Sequence, residues 1–138
     1  MNAVDTNVLI YARDPRDERK QRLARQLISE LTDGVMLWQV SCEYLAACRK
    51  LRHAHWSLED AANDIADLRK VWFTASPDWD TLERAARLSK DHSISFWDAM
   101  IVSSCEASGV DRLFSEDIPN HSAYGSIAVI NPFLESQR

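Results

Sequence analysis

Apolar positions along this chain fall into two kinds of block: short continuous runs, and longer stretches in which apolar residues return every third or fourth place. Asn2 to Asp5 reads as a first short strand, Val35 to Val40 as a second and Val71 to Ala75 as a third. Arg112 to Ser115 and Ile127 to Ile130 read as two more. Between them lie the helical patterns. Asn7 to Ala12 can form a helical turn that Asp14-Pro15 breaks, because proline cannot continue a helix. Asp17 to Leu31 is a helix with Leu23, Leu27, Ile28 and Leu31 on one stripe and a basic opposite face.

Ser41 is the expected cap of a third helix running to about His53, with Tyr44, Leu45, Cys48 and Leu51 along its buried side. Ser57 with Asp60 resembles a capping box, and its helix runs to about Lys70. Trp79 to His92 carries a weaker stripe of Leu82, Ala85, Ala86 and Leu88. Trp97 to Ser108 is apolar or small along one side and stops at Gly109. Strands alternating with helices predict an α/β domain with a short, largely parallel sheet flanked by helices. No repeat or linker divides the sequence, so one domain over residues 1–138 is expected, with Glu135 to Arg138 as a frayed tail.

Composition narrows this reading. Apolar residues make up 46% and charged residues 27% of the chain, as in ordinary globular domains. The net charge of −5 argues against a dedicated nucleic-acid-binding domain but not against an enzyme that acts on nucleic acid, where metal ions can offset an acidic site. Cys42, Cys48 and Cys105 are an odd, scattered set, read as reduced thiols. The histidines lack zinc spacing; His53 and His55 would point to different helix faces. No signal peptide and no membrane-length apolar run is visible, so a cytoplasmic location is expected. Trp38, Trp56, Trp72, Trp79 and Trp97 are many for this length; most are expected in the core, and some could face a partner.

Four carboxylates stand out by position. Asp5 ends the first expected strand, between two apolar stretches that want burial. Glu43 follows the second strand, in the first turn of its helix. Asp98 opens the helix in Ser95-Phe96-Trp97-Asp98-Ala99-Met100-Ile101, and Asp117 follows the strand at Leu113-Phe114. Working residues of an open parallel sheet gather at the carboxyl ends of its strands, so this fold class would bring all four to one edge. Each has a plain structural reading: Asp5 as a helix cap, Glu43 and Asp98 as favourable first-turn acids, Asp117 as a turn residue. Together they would repel one another unless divalent cations were present. Oxygen ligands without histidine or cysteine favour Mg²⁺ or Mn²⁺, ions suited to phosphodiester hydrolysis.

The motifs resemble those of PIN-domain ribonucleases, in particular VapC-type toxins of bacterial toxin–antitoxin pairs. Val4-Asp5-Thr6-Asn7-Val8-Leu9-Ile10-Tyr11 resembles the first motif of that family, Ser41-Cys42-Glu43-Tyr44-Leu45 the second and Ser95 to Ile101 the third. Leu113-Phe114-Ser115-Glu116-Asp117 resembles the fourth, with Ser115 where threonine is usual, and Val129-Ile130-Asn131-Pro132-Phe133 resembles the family's ending. The resemblance implies a PIN-like three-layer α/β sandwich and an endoribonuclease whose Mg²⁺ or Mn²⁺ is held by Asp5, Glu43, Asp98 and Asp117. It further implies Thr6, Asn7 and Ser115 as supporting residues, an RNA substrate, a cognate antitoxin and a homodimer. Glu116 could replace Asp117 as the acid facing the metal. Arg13, Arg16, Arg19, Lys20 and Arg22, with Arg49, Lys50 and Arg52, could contact RNA phosphates or simply be solvated helix faces.

Other classes fit less well. A haloacid-dehalogenase-like phosphatase needs a second aspartate where this chain has Asn7, and a receiver domain wants an acidic pair after its first strand. A PIN-like module that binds RNA or protein without cutting is the remaining alternative; loss of one of the acids would mark it, and all four are present.

Overall fold

The computed structural model describes residues 1–50 and 56–134. Along them run β1 (Asn2–Val4), α1 (Thr6–Arg13), α2 (Glu18–Glu30), β2 (Gly34–Leu37), α3 (Trp38–Lys50) and α4 (Leu58–Val71). Then follow β3 (Phe73–Ala75), α5 (Trp79–His92), α6 (Phe96–Ala107), β4 (Arg112–Phe114), a 3-10 turn at Ser122–Tyr124 and β5 (Ala128–Ile130). All strand pairs are parallel, in the order β3-β2-β1-β4-β5. Ala3 pairs with Val35 on one side and Leu113 on the other, which puts β1 at the centre. Every residue of β1 and β2 is buried, the mark of strands covered on both faces.

The chain steps outward from β1 through β2 to β3, then returns across the sheet to β4 and β5. Parallel crossovers are right-handed, so this route sends α1 to α4 to one face and α5 and α6 to the other. The packing agrees: α1 meets α2 and α3, α3 meets α4, and α5 lies along α6. The result is the expected α/β sandwich of three layers. The core joins Val4, Val8, Val35, Leu37, Val40, Tyr44 and Leu113. From Ala99 to Cys105 every residue of α6 is buried, which explains the apolar character of that segment.

Local signals fix most helix ends. Asp5 caps α1, Asp17 caps α2, and Ser57 with Asp60 closes a capping box on α4. Asp78 and Thr81 form another on α5.

The structure departs from the expected pattern around Trp38. The run Val35 to Val40 is strand only to Leu37; Trp38, Gln39 and Val40 already belong to α3. A strand continued inside this covered sheet would bury Trp38, whereas the helix leaves it 59% exposed and buries Val40 and Tyr44, one turn apart. Ser41 is therefore not a cap. It lies inside the helix and its hydroxyl donates back to the Leu37 carbonyl at 3.3 Å. Glu43 moves with it, from the first turn to the second. Val71 likewise ends α4 instead of opening β3.

Trp56 and Trp72 are core residues, but Trp38, Trp79 and Trp97 are exposed, the last two by 79% and 65%. A mostly buried set of tryptophans is therefore corrected to a minority. The expected end of the third helix at His53, with Leu51, Arg52, His53, His55 and the tail Glu135 to Arg138, lies outside the described residues. Among the described residues no helix is long and apolar enough to cross a membrane.

One close approach is structurally exacting. Trp72 donates its indole N–H to the Leu31 carbonyl at 3.1 Å, and its ring lies directly over Gly34. A Cβ at Gly34 would fall 2.4 Å from that ring, which is buried and tied by its hydrogen bond. Gly34→Ala is expected to lower unfolding free energy by about 1–3 kcal/mol, the usual range for overpacking, as read from urea denaturation. An unchanged denaturation midpoint would refute this account of the contact.

Candidate active site

At β1 the sheet changes direction of growth: β2 was added on one side and β4 on the other. A crevice opens at the carboxyl ends of strands at such a point. Asp5 is the first residue beyond β1, and its backbone N–H donates to the Phe114 carbonyl at 2.8 Å, which carries the β1–β4 pairing one step further. Its carboxylate is 6% exposed. One oxygen accepts from the Thr6 backbone N–H at 2.8 Å; the other accepts from the Ser115 hydroxyl at 2.7 Å and the Asn7 amide at 3.2 Å. Asp5 is thus both the cap of α1 and the deepest acid of the crevice.

Asn7 and Ser115 tie Asp5 to the loop after β4. The Asn7 amide nitrogen also donates to Asp117 at 3.3 Å, while its oxygen accepts from the Glu116 backbone N–H at 3.2 Å, which fixes the amide's orientation. The Ser115 oxygen accepts from the backbone N–H groups of Asp117 and Ile118, both at 3.1 Å. Glu43 reaches in from α3, where it accepts from the Thr6 hydroxyl at 3.4 Å. Asp98 stands in the first turn of α6, on the other face of the sheet.

Electrostatics link all four acids. Burial raises the Asp5 pKa, the Ser115 and Thr6 hydrogen bonds oppose the rise, and the charges of Asp117 and Asp98 add to it. Glu43 is raised by burial and then by Asp5, against the hydrogen bonds of Gln39 and Thr6, with a further contribution from Asp98. Asp98 is raised by burial and by Asp117. Cys105, buried beneath, has its thiol pushed up to about 12 by burial, with the Asp5 charge adding, and is inert as a nucleophile. The ion pairs among the described residues leave all four acids out. Among those residues no group of three or more His, Cys, Asp and Glu side chains is drawn together closely enough to hold a metal ion.

Glu116 faces elsewhere. It accepts hydrogen bonds from Tyr11 at 2.7 Å and from Lys20, and although burial opposes it, these partners bring its pKa below the ordinary value. Asp117, not Glu116, is the acid joined to Asn7. The basic run after the first motif is largely engaged: Arg13 with Asp64, Arg16 with Asp14, Lys20 with Glu116, and Arg19 with the Phe133 carbonyl.

Two features were not foreseen in the sequence. Gln39, four residues before Glu43 on α3, supports that carboxylate and also donates to the Trp97 carbonyl at 3.1 Å. Its spacing from Glu43 would have pointed to it had Trp38 to Val40 been read as helix. The Tyr11–Lys20–Glu116 cluster joins residues far apart in the chain, and no local pattern announces it.

The PIN domain model matches residues 3–118, and the chain belongs to the PIN domain family. Its fold is shared with solved structures of low sequence identity. VapC20 of Mycobacterium tuberculosis, a sarcin–ricin loop cleaving toxin, is 22% identical at a TM-score of 0.70, over 91% of this chain and 95% of that one. A toxin–antitoxin complex from Klebsiella pneumoniae is 17% identical at a TM-score of 0.69, over 96% and 98%. VapBC2 of Rickettsia felis, bound to a promoter DNA fragment, is 13% identical at a TM-score of 0.65, over 94% and 97%. No match was found among curated protein sequences.

The raised acids have a consequence for stability. A carboxyl whose folded pKa lies above its unfolded value binds its proton more tightly when folded, so its contribution to stability falls as pH rises through that window. For Asp5 the window opens at the ordinary value of 3.8 and extends upward. Asparagine caps a helix about as well as aspartate. In EDTA, Asp5→Asn is therefore expected to melt higher than wild type at pH 7, with the difference shrinking towards pH 4. Calorimetry across that range tests it, and a variant less stable at every pH would overturn it.

Proposed function

We propose that this chain is a Mg²⁺- or Mn²⁺-dependent endoribonuclease and the toxin of a type II toxin–antitoxin pair. The observation that carries the proposal is the set of four acids, Asp5, Glu43, Asp98 and Asp117, coupled through their charges yet in no ion pair among the described residues. Uncompensated negative charge in a partly buried crevice favours binding of cations. The donors are all oxygen, which suits a hard divalent ion. Mg²⁺ commonly takes one or two carboxylates and completes its shell with water and substrate phosphate, so a preformed cage of three protein ligands is not required.

Asp5 and Asp117, spanned by Asn7, would hold a cation on one side, and Glu43 and Asp98 would contribute from the other. When bound, such an ion supplies Lewis-acid polarisation of a phosphate oxygen and a more acidic bound water. The protein's own part is positional. Ser115 and the Thr6 N–H hold Asp5 in place, the Thr6 hydroxyl and Gln39 steady Glu43, and Asn7 sets the separation of Asp5 from Asp117. Glu43, half-buried and with a raised pKa, is suited to accept a proton from an attacking water.

The structural relatives support the toxin reading, since several are toxin–antitoxin complexes. A cognate antitoxin is proposed as a partner on the same grounds, and a homodimer on the motif resemblance to VapC-type toxins. Exposed Trp38, Trp79 and Trp97 favour protein contacts, because large aromatics concentrate at interfaces.

Purified protein given single-stranded and structured RNA is expected to cleave it with Mg²⁺ or Mn²⁺ and to stop on addition of EDTA. Asp5→Asn is expected to reduce the rate by about 100-fold or more, the scale of losing a transition-state electrostatic contact. The cation should also raise the melting temperature of wild type but not of the variant. Cleavage that persists in EDTA, or equal rates in the two proteins, would sink the reading.

A further inference from the structure

We propose that the pocket between α5, α6 and the 3-10 turn is a subsite for one nucleotide of a single-stranded RNA, adjacent to the four carboxylates; this rests on the nuclease reading above. The pocket has a volume of about 230 Å³. Leu88 and Val102 give it an apolar floor, and Arg84, Arg87, His92 and Tyr124 line it.

Its position follows from α6. Val102 lies four residues beyond Asp98, one turn along the same helix face. Tyr124 lines the pocket from the 3-10 turn; burial raises its pKa, and the Asp98 charge adds to the rise. A strand whose phosphate sits at the carboxylates would thus meet this pocket further along α6 from Asp98.

Its donors are available. Most of the basic run after the first motif is taken up by ion pairs or carbonyls. Here, Arg84 Nε is buried without a hydrogen-bond partner among the described residues, and its one ion pair, to Glu106, is long at 3.5 Å. Arg87 has no hydrogen bond or ion pair among those residues. Asp91 and Glu106 also line the pocket and balance the two arginines. An incoming phosphate would displace Glu106 from Arg84 and form the shorter, charge-assisted contact that the guanidinium favours.

The rings favour a base. His92 meets His121 edge-on at 5.6 Å, and His121 lies 5.6 Å from Tyr124. Aromatic faces beside cationic side chains are how proteins hold single strands without reading their sequence. An apolar floor, stacking rings and two guanidiniums together match a nucleotide better than a purely apolar or purely anionic ligand.

The test uses a fluorescein-labelled single-stranded RNA of about six nucleotides, within the usual site size, titrated in EDTA so that binding is read without cleavage. Arg87 is exposed, so Arg87→Ala should fold, to be checked by circular dichroism. Lys90→Ala removes the same charge from the same helix outside the pocket. Arg87→Ala is expected to weaken binding about ten-fold and to reduce the slope of log K against log salt by about 0.7, and Lys90→Ala to do much less. Uridine monophosphate should shift the ring resonances of His92 and Tyr124, which line the pocket.

Equal losses in the two variants, no loss in Arg87→Ala, or no binding by wild type would each overturn the subsite. The two proposals fail separately. RNA bound through Arg87 but left intact with Mg²⁺ and Mn²⁺ removes the nuclease reading and keeps the pocket. RNA cleaved by wild type, and bound and cleaved equally well by Arg87→Ala, does the reverse.

Discussion

The carboxylate of Asp5 is the constraint on which the rest of this structure turns. It is nearly inaccessible, yet it sits where two central strands end and a helix begins. A buried acid needs hydrogen bonds. Three come from three places: the first N–H of α1, the Asn7 amide one residue further on, and the Ser115 hydroxyl just past β4. The same contacts that make Asp5 tolerable therefore dock the β4 loop onto α1 and set the position of Asp117. Structure and candidate chemistry share one set of hydrogen bonds here, so neither can be altered without the other.

This arrangement leaves a residue of unfavourable energy. Hydrogen bonding lowers the Asp5 pKa, but burial and two neighbouring acids raise it by more. Glu43 and Asp98 carry the same imbalance. A protein optimised for stability alone would place an arginine or lysine among them, and basic residues are close at hand in the chain. The structure instead pairs Lys20 with Glu116 and Arg13 with Asp64, and leaves the four acids without a cationic partner among the described residues. Negative charge left uncompensated in this way, while other acids are paired, supports the cation site proposed above.

Much of this was legible in the sequence because the decisive signals are local. Capping pairs such as Ser57 with Asp60 act over a single turn, and α5 runs over Trp79–His92 as its pattern predicts. Asp5, Asp98 and Asp117 could be placed at a strand end, a helix start and the loop after β4 by alternation alone, Glu43 lies one turn deeper in its helix than alternation suggests, and the motifs supplied the family. What escaped was set by tertiary context. An apolar run such as Val35 to Val40 cannot reveal where strand gives way to helix, because both would bury most of it; the outward turn of Trp38 decides the matter. That single misreading displaced the cap to Ser41 and concealed Gln39. The engagement of the basic run was also hidden, since Asp64 and Phe133 lie far along the chain from the arginines they meet.

The distribution of charge then acquires a direction. An acidic crevice repels a polyanion at a distance, so the RNA strand proposed as substrate would need cationic contacts beside the carboxylates. Most of the first basic run cannot readily supply them, because Arg13 ties α1 to α4, Lys20 ties α2 to the loop after β4, and Arg19 ties α2 to the segment at Phe133. The guanidiniums of Arg84 and Arg87, midway along α5, are less committed, and they lie on the opposite face of the sheet, beside the helix that carries Asp98. In this arrangement the two faces divide the work. The layer of α1 to α4 fixes Asp5 and Glu43 through buried packing and hydrogen bonds. The layer of α5 and α6 brings Asp98 together with the cationic groups that a phosphate chain would meet. The sheet between them, all parallel and changing direction at β1, is what allows both layers to deliver side chains to one edge.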